Sequence, residues 1–345
     1  MNTLSAELEL RRALAEFSYG NLATSLNLLT KYARAHGENA EAEYFRRKIL
    51  DRLRSAPLQP PFIMWRPGTR GLWEQDWLDS LLPNLPSLEP DAPEVDLADR
   101  TVIVIDNRMT ELKRSFYRNA YQHGCRIILI HLSDEAFEDD YDTYRWCHRI
   151  FRNYHSPIFQ EKRHVSCFAL GFKSGFGMNE ARPSVDARNY VWSFAGDAAK
   201  SSRREMLEEM RKVGGGREHL TSGFNSPDAL GTGSYSELLR RSVFVPCPMG
   251  YVNMDSFRVY EALEAGCIPI TERRPGFNYF SELFGAVPFP SVLHWAEAPT
   301  LIEHLQRHRL VEELQRECTR WWDRYKASLK SRIMASVDES QSASS

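Results

Sequence analysis

Ser256, Arg258 and Glu261 are the residues of this chain best suited to chemistry on a charged substrate. They follow an apolar run, residues 243–245, and a Pro/Gly loop, residues 246–253, that carries Gly250. Asp255 or Ser256 suits a helix start, where first-turn amides and the helix dipole favour an anion. A strand, a glycine-bearing loop and a helix start with Arg258 in its first turn are the parts of a phosphate pocket. Glu261, three residues on, shares the helix face with Arg258 and either fixes that arginine or accepts from a hydroxyl. The plainer alternative is an ordinary βαβ unit with an exposed Arg258–Glu261 pair worth a few tenths of a kcal/mol. The same construction recurs upstream. An apolar run at 190–194 leads through Gly196 to Lys200, Arg203 and Arg204 at the start of a helix over 200–213. Further upstream, a strand over 165–170 runs into the glycine-rich loop 171–177, where Gly171 and Lys173 are placed to wall a cleft. Its spacing is not that of a dinucleotide fingerprint.

These side chains need sheets to hold them. Residues 101–105, TVIVI, and 126–131, RIILIH, are continuous apolar runs flanking a helix over 111–124, which predicts parallel strands of a Rossmann-like half. Ligands in such sheets sit beyond the carboxyl ends of the strands, which nominates Asp106, His131, Asp134 and Glu135; each also suits a helix cap or a solvated loop. Arg145, Arg149 and Arg152 alternate with aromatics over 141–156 and are expected to form a solvated basic face on an aromatic core. Asp140 and Asp142 form a D-x-D triplet inside an acidic loop. Gly214–Gly216 reads as a flexible turn.

The chain has 345 residues, 42% hydrophobic and 26% charged, enough for two core-bearing domains. A formal net charge of −2 gives no global basic field, so nucleic acid is not an expected partner. Six cysteines without a C-x-x-C pair read as reduced core residues, and no metal site is assigned. With no apolar run of about 20 residues and no secretory leader pattern, the expected location is cytoplasmic, at most peripheral at the inner face of a membrane. Residues 1–55 have the periodicity of two or three amphipathic helices. This hairpin cannot bury its own apolar face and is expected to pack on the body, on another copy or on a partner protein. The boundaries read as this hairpin over 1–55, a first Rossmann-like domain over 56–165, a second over 166–295, helices packing back over 296–330, and a disordered Ser-rich tail over 331–345.

The ordered set Tyr235-x-Glu237-Leu238, Ser242-x-Phe244, Pro248-x-Gly250, Ser256-x-Arg258-x-x-Glu261-Ala262 and Gly266-Cys267-Ile268-Pro269 resembles the C-terminal motif of exostosin-type glycosyltransferases. The resemblance implies an α/β chain of GT-B fold, with two Rossmann-like domains facing a cleft, and an inverting enzyme using a nucleoside-diphosphate sugar. It further implies a donor site at Gly171, Lys173, Gly196, Lys200, Arg203, Gly250, Ser256, Arg258 and Glu261. The donor is expected to be a UDP-sugar with no other cofactor, and the acceptor a glycan or lipid-linked molecule, as in bacterial surface-polysaccharide assembly. Asn253 stands where retaining enzymes of this fold carry a second glutamate, which favours inversion. The acceptor base is then expected among Glu135 and Asp134, then Asp106, then His131. The alternatives are a non-catalytic carbohydrate-binding relative and a scaffold organised by the N-terminal hairpin.

Overall fold

A computed structural model of the chain describes residues 3–18, 22–37, 39–55, 61–69, 71, 73–83, 85–88, 97–176, 181–223 and 226–342. Gly177 of the glycine-rich loop and residues 343–345 of the Ser-rich tail lie outside these. The N-terminal helices are α1 (Thr3–Ser18), α2 (Leu22–His36) and α3 (Ala40–Ser55). The first sheet and its helices follow as β1 (Phe62–Trp65), α4 (Gln75–Leu81), β2 (Ser87–Leu88), β3 (Thr101–Asn107), α5 (Arg114–Gln122), β4 (Arg126–Leu132), β5 (Arg149–Arg152) and β6 (Val165–Cys167). The second half comprises β7 (Tyr190–Asp197), α6 (Arg203–Met210), β8 (Gly216–Thr221), α7 (Thr232–Arg240), β9 (Ser242–Cys247), α8 (Phe257–Glu264), β10 (Ile268–Glu272), α9 (Tyr279–Phe284) and β11 (Ser291–Val292). Two further helices, α10 (Glu297–Arg307) and α11 (Val311–Ser342), end it.

Both sheets are parallel. The first has the order β2-β1-β3-β4-β5-β6 and the second β11-β10-β9-β7-β8. Every residue of β3 and of β9 is buried, as strands covered on both faces require. Two Rossmann-like sheets with a cavity lined from both make the α/β GT-B arrangement.

Four sequence expectations need correction. The basic face over 141–156 is not all solvated: the Arg152 guanidinium is fully buried, 3.0 Å from Asp134, with the Phe159 ring 4.1 Å beneath it. Gly216 is no flexible turn but the first residue of β8, where a Cβ would lie 2.3 Å from the Trp192 ring. The N-terminal segment is three helices, within the two or three expected, but the third closes the apolar face that was expected to pack elsewhere. Leu10, Ala13, Leu26, Leu29, Tyr32, Ala42 and Ile49 form a cluster of their own. Finally, the expected tail is helical to Ser342, because Leu329, Ile333 and Val337 recur at four-residue spacing and all enter the main core.

That last helix ties the halves together. The α11 helix touches α4, β3 and β4 of the first half and α8 and β10 of the second. Trp322 stacks on Trp77 at 5.3 Å and packs against Tyr260 at 5.5 Å, and the Tyr325 hydroxyl accepts the Ala169 N–H at 2.8 Å. Among the described residues no helix is long and apolar enough to cross a membrane.

Candidate active site

A cavity of about 410 Å³ lies between the two sheets. The first half contributes Trp73, Glu135 and Tyr154, and the segment after β6 contributes Leu170 and Lys173; the second half lines the remainder from the ends of β7 and β8 and the loops after them, the starts of α6 and α7, the loop after β9 and the first turns of α8. The wall is therefore built at carboxyl edges of strands, where strand and helix geometry leaves room for a ligand.

On the second-sheet side two guanidiniums converge. β7 brings Gly196, with φ +142°, to the wall, where a Cβ would sit 3.0 Å from Arg258 Nη2 and 3.9 Å from Arg203 Nη1. Glycine is thus required by this φ, and the close approach of Arg258 leaves little room for a side chain. Arg258 donates to the Ala195 carbonyl at 2.8 Å and Arg203 to the Asp197 carbonyl at 3.0 Å, and Nε of each is buried without a partner. Arg258 also lies over the Phe194 ring at 4.6 Å. Burial, and then the charge of Arg258, push the Arg203 guanidinium down to about 10. Two close cations whose side-chain bonds go to carbonyls make a strong anion site. At the start of α8, Ser256 has the extended backbone of a cap residue, yet its hydroxyl makes no capping bond and is buried without a partner. The first-turn amides of α8 are thus not capped by that hydroxyl.

Glu261 is not part of an exposed helix pair. It is 5% exposed, lines the cavity and accepts the Lys173 N–H at 3.3 Å. Burial pushes its carboxyl up to about 6, against the opposing charge of Arg258. Lys200 and Gly250 also line the wall, whereas Arg204 is exposed and outside it.

The carboxylates expected to serve as base are placed differently. Asp106 is fully buried on the first sheet, ion-paired with Lys113 at 2.5 Å and bonded by the Tyr117 hydroxyl at 2.7 Å. Asp134 is paired with Arg152 and accepts from the Tyr141 hydroxyl at 2.5 Å and the Glu138 N–H at 2.9 Å. His131 is sandwiched between the Tyr144 hydroxyl at 2.6 Å and Asp139 at 2.7 Å. None of these three lines the cavity, so the assignments of Asp106, Asp134 and His131 are corrected: each side chain is satisfied inside the first half. Gly171 is likewise off the wall. With φ +82° and a Cβ that would lie 2.3 Å from the Trp77 ring, it serves packing.

Glu135 does line the cavity. One of its oxygens accepts three successive amides of the loop after β9, Tyr251 at 3.2 Å, Val252 at 2.9 Å and Asn253 at 3.1 Å. It bridges the halves instead of standing free.

His131, Asp134 and Asp139 bring ligand-type atoms within 4.8 Å of one another, but Arg152 beside Asp134 supplies the positive charge there and disfavours a cation. Asp140 and Asp142 of the D-x-D triplet are engaged with Arg114 and Arg145.

Sequence reading missed Trp73, Tyr154 and Asp255 as lining residues, although Asp255 beside Ser256 was a visible signal.

A crystal structure of the DNA-modifying enzyme β-glucosyltransferase, studied with and without its substrate uridine diphosphoglucose, matches 81% of this chain and 100% of its own at 11% identity and TM-score 0.46. The Mus musculus protein ribitol-5-phosphate xylosyltransferase 1 is 27% identical over 168 residues, 42% of this chain and 37% of its own length. The Homo sapiens protein of the same name is 26% identical over 177 residues, 45% and 39%. The chain thus spans well under half the length of these curated relatives. Each of these names is that of a glycosyltransferase. Residues 176–341, which hold the second sheet, Arg203, Arg258 and most of α11, match the family model described as the RXYLT1 C-terminal domain.

Proposed function

We propose that this chain is an inverting glycosyltransferase that moves a sugar from a nucleoside-diphosphate donor, a UDP-sugar foremost, to a hydroxyl of a glycan or lipid-linked acceptor. The observation that carries the reading is the convergence of Arg203 and Arg258 over Gly196 at the edge of the second sheet. A diphosphate supplies the anion those groups are built for. As the sugar leaves, negative charge grows on the diphosphate, and fixed cations with the α8 amides stabilise it where it develops. These donors supply the electrostatic work commonly given to a metal ion. Glu261, deep in the wall beside Lys173, is placed to accept from a donor hydroxyl.

The names of the relatives support sugar transfer and add pentoses to the sugars worth testing. Their sources, mouse, human and zebrafish, lend nothing to a bacterial polysaccharide setting. Inversion rests on Asn253, whose side-chain carbonyl accepts the Asp255 N–H at 3.1 Å and whose place offers no carboxylate for a retaining route.

The test is UDP-dependent thermal stabilisation followed by nucleotide release with UDP-, GDP- and CMP-sugars, UDP-xylose and UDP-glucose included. A ligand at 100 times its dissociation constant stabilises by about 2.7 kcal/mol. Arg258→Ala is expected to remove most of that stabilisation and to lower kcat/KM by about 10²- to 10³-fold, the usual cost of losing one donor to a developing anion. Full activity in that variant defeats the clamp assignment. Donor binding without release by the wild type favours a carbohydrate-binding protein.

A further inference from the structure

We infer that Asp255 is the catalytic base of the transfer, taking the proton of the acceptor hydroxyl as it attacks the sugar. The inference rests on the donor reading above and deepens it.

Among the cavity-lining carboxylates, the surroundings of Asp255 differ in kind. It is 2% exposed and lines the cavity, and its Oδ1 is buried without a hydrogen-bond partner. The other oxygen accepts from the Tyr279 hydroxyl at 3.2 Å, and that hydroxyl in turn accepts the His155 N–H at 2.8 Å. The side chain is therefore held by a second-half tyrosine that is itself anchored to the first half, while Oδ1 carries no hydrogen bond. Its backbone is fixed as well. The Asp255 N–H donates to Asn253 Oδ1, and a Cβ on Gly250 would come within 3.0 Å of the Asp255 carbonyl.

The rival carboxylates of the wall belong to other partners. Glu135 is bound by three amides. Asp197 accepts the Ala199 N–H at 2.7 Å and sits on the donor side with Arg203. Glu261 lies one turn into α8 under the charge of Arg258. Asp255 lies on the loop between β9 and α8, near enough to Tyr154 and Glu135 of the first half to interact with them electrostatically, and so faces the side from which an acceptor enters if the diphosphate occupies the second. Burial raises the phenol of Tyr154, a wall residue held at φ +61°, and the nearby charges of Glu135 and Asp255 add to that rise. A non-glycine residue in that backbone region is uncommon and marks a place over-determined by its surroundings.

Protonation suits the role. Burial pushes the Asp255 carboxyl up to about 7, Glu135 adding to the rise, against the Tyr260 and Tyr279 hydroxyls. The buried Tyr260 hydroxyl stands beside this carboxyl and opposes the rise. The other titratable groups around it are Tyr154, Tyr325 and the His155 ring, 6.1 Å from that of Tyr279. A base with this affinity accepts a hydroxyl proton in the transition state efficiently near neutral pH. In the step, the acceptor oxygen bonds to the anomeric carbon while its proton passes to Asp255. The bond from that carbon to the diphosphate oxygen breaks, and its electron pair stays on the diphosphate.

The experiment compares wild type with Asp255→Asn, a change of similar shape, using UDP-induced thermal shift and transfer rate from pH 5.5 to 9. The variant is expected to keep the UDP shift and the donor KM, to lose kcat by 10²-fold or more, and to lose the wild-type rise of kcat/KM through about pH 7. Glu261→Gln, by contrast, is expected to raise donor KM. Wild-type transfer that Asp255→Asn matches overturns this inference and leaves the transferase reading standing. No nucleotide release from wild type with any donor overturns both.

Discussion

Asp255 illustrates how one carboxyl group writes its surroundings into both rate and stability. Its acid constant in the folded protein, about 7, lies above the ordinary 3.8 of an aspartate because burial disfavours the charge. The folded state therefore holds a proton that the unfolded chain releases between about pH 4 and 7. The contribution of Asp255 to stability falls as pH rises through that window and is level beyond it. Asp255→Asn lacks this slope, so in urea titrations its advantage is expected to grow from near zero at pH 4 to as much as about 4 kcal/mol at pH 8. Parallel stability curves for the two proteins would show that the site is wetter than its burial implies. At this scale the sequence was readable where a residue type met a local spacing: strand, glycine and helix start picked out Gly196, Lys200, Arg203, Ser256 and Arg258, which line one cavity. It was unreadable where the partner is remote. Nothing near Glu135 shows that the amides of residues 251–253 will claim it, nor that Arg152 will reach back to Asp134.

At the scale of elements, apolar runs located β3, β4, β7 and β9, because a strand buried on both faces needs no polar alternation. The end of α11 was harder. Serine-rich composition suggested disorder, but three apolar residues four apart were enough to hold the helix against the body. Ile333, 1% exposed, is therefore expected to contribute like any core residue. Ile333→Ala should cost about 2 to 5 kcal/mol in urea unfolding, whereas loss of a disordered tail residue would cost nothing measurable. Trp322 is the pivot of the same helix. Besides its stacking on Trp77, its indole N–H donates to Glu264 at 2.6 Å, and Glu264 also pairs with Lys326 at 2.8 Å and Arg182 at 3.5 Å.

The whole molecule consists of a two-sheet body and a three-helix module whose core is its own. One described link between them is the Arg34 guanidinium donating to Gln75 at 2.6 Å, a contact worth about 1 kcal/mol. Removing residues 1–55 is expected to leave the body folded, with its UDP-induced thermal shift within error of the full chain. A collapse of that shift would make the module part of the enzyme. The two-domain plan was legible from the order of strands and helices. The self-sufficiency of the N-terminal module was not, since it depends on how three helices cross rather than on their pattern.

The crossing helix also has a consequence for how the protein is made. Trp77 and the loop near Ala169 are covered by side chains encoded about 150 to 250 positions later, at Trp322 and Tyr325. During vectorial synthesis the first sheet therefore emerges with part of its interior bare and waits, through the translation of the entire second half, for the segment that seals it. Nascent chains stalled before residue 311 should bind hydrophobic-surface chaperones that chains extended past residue 342 release.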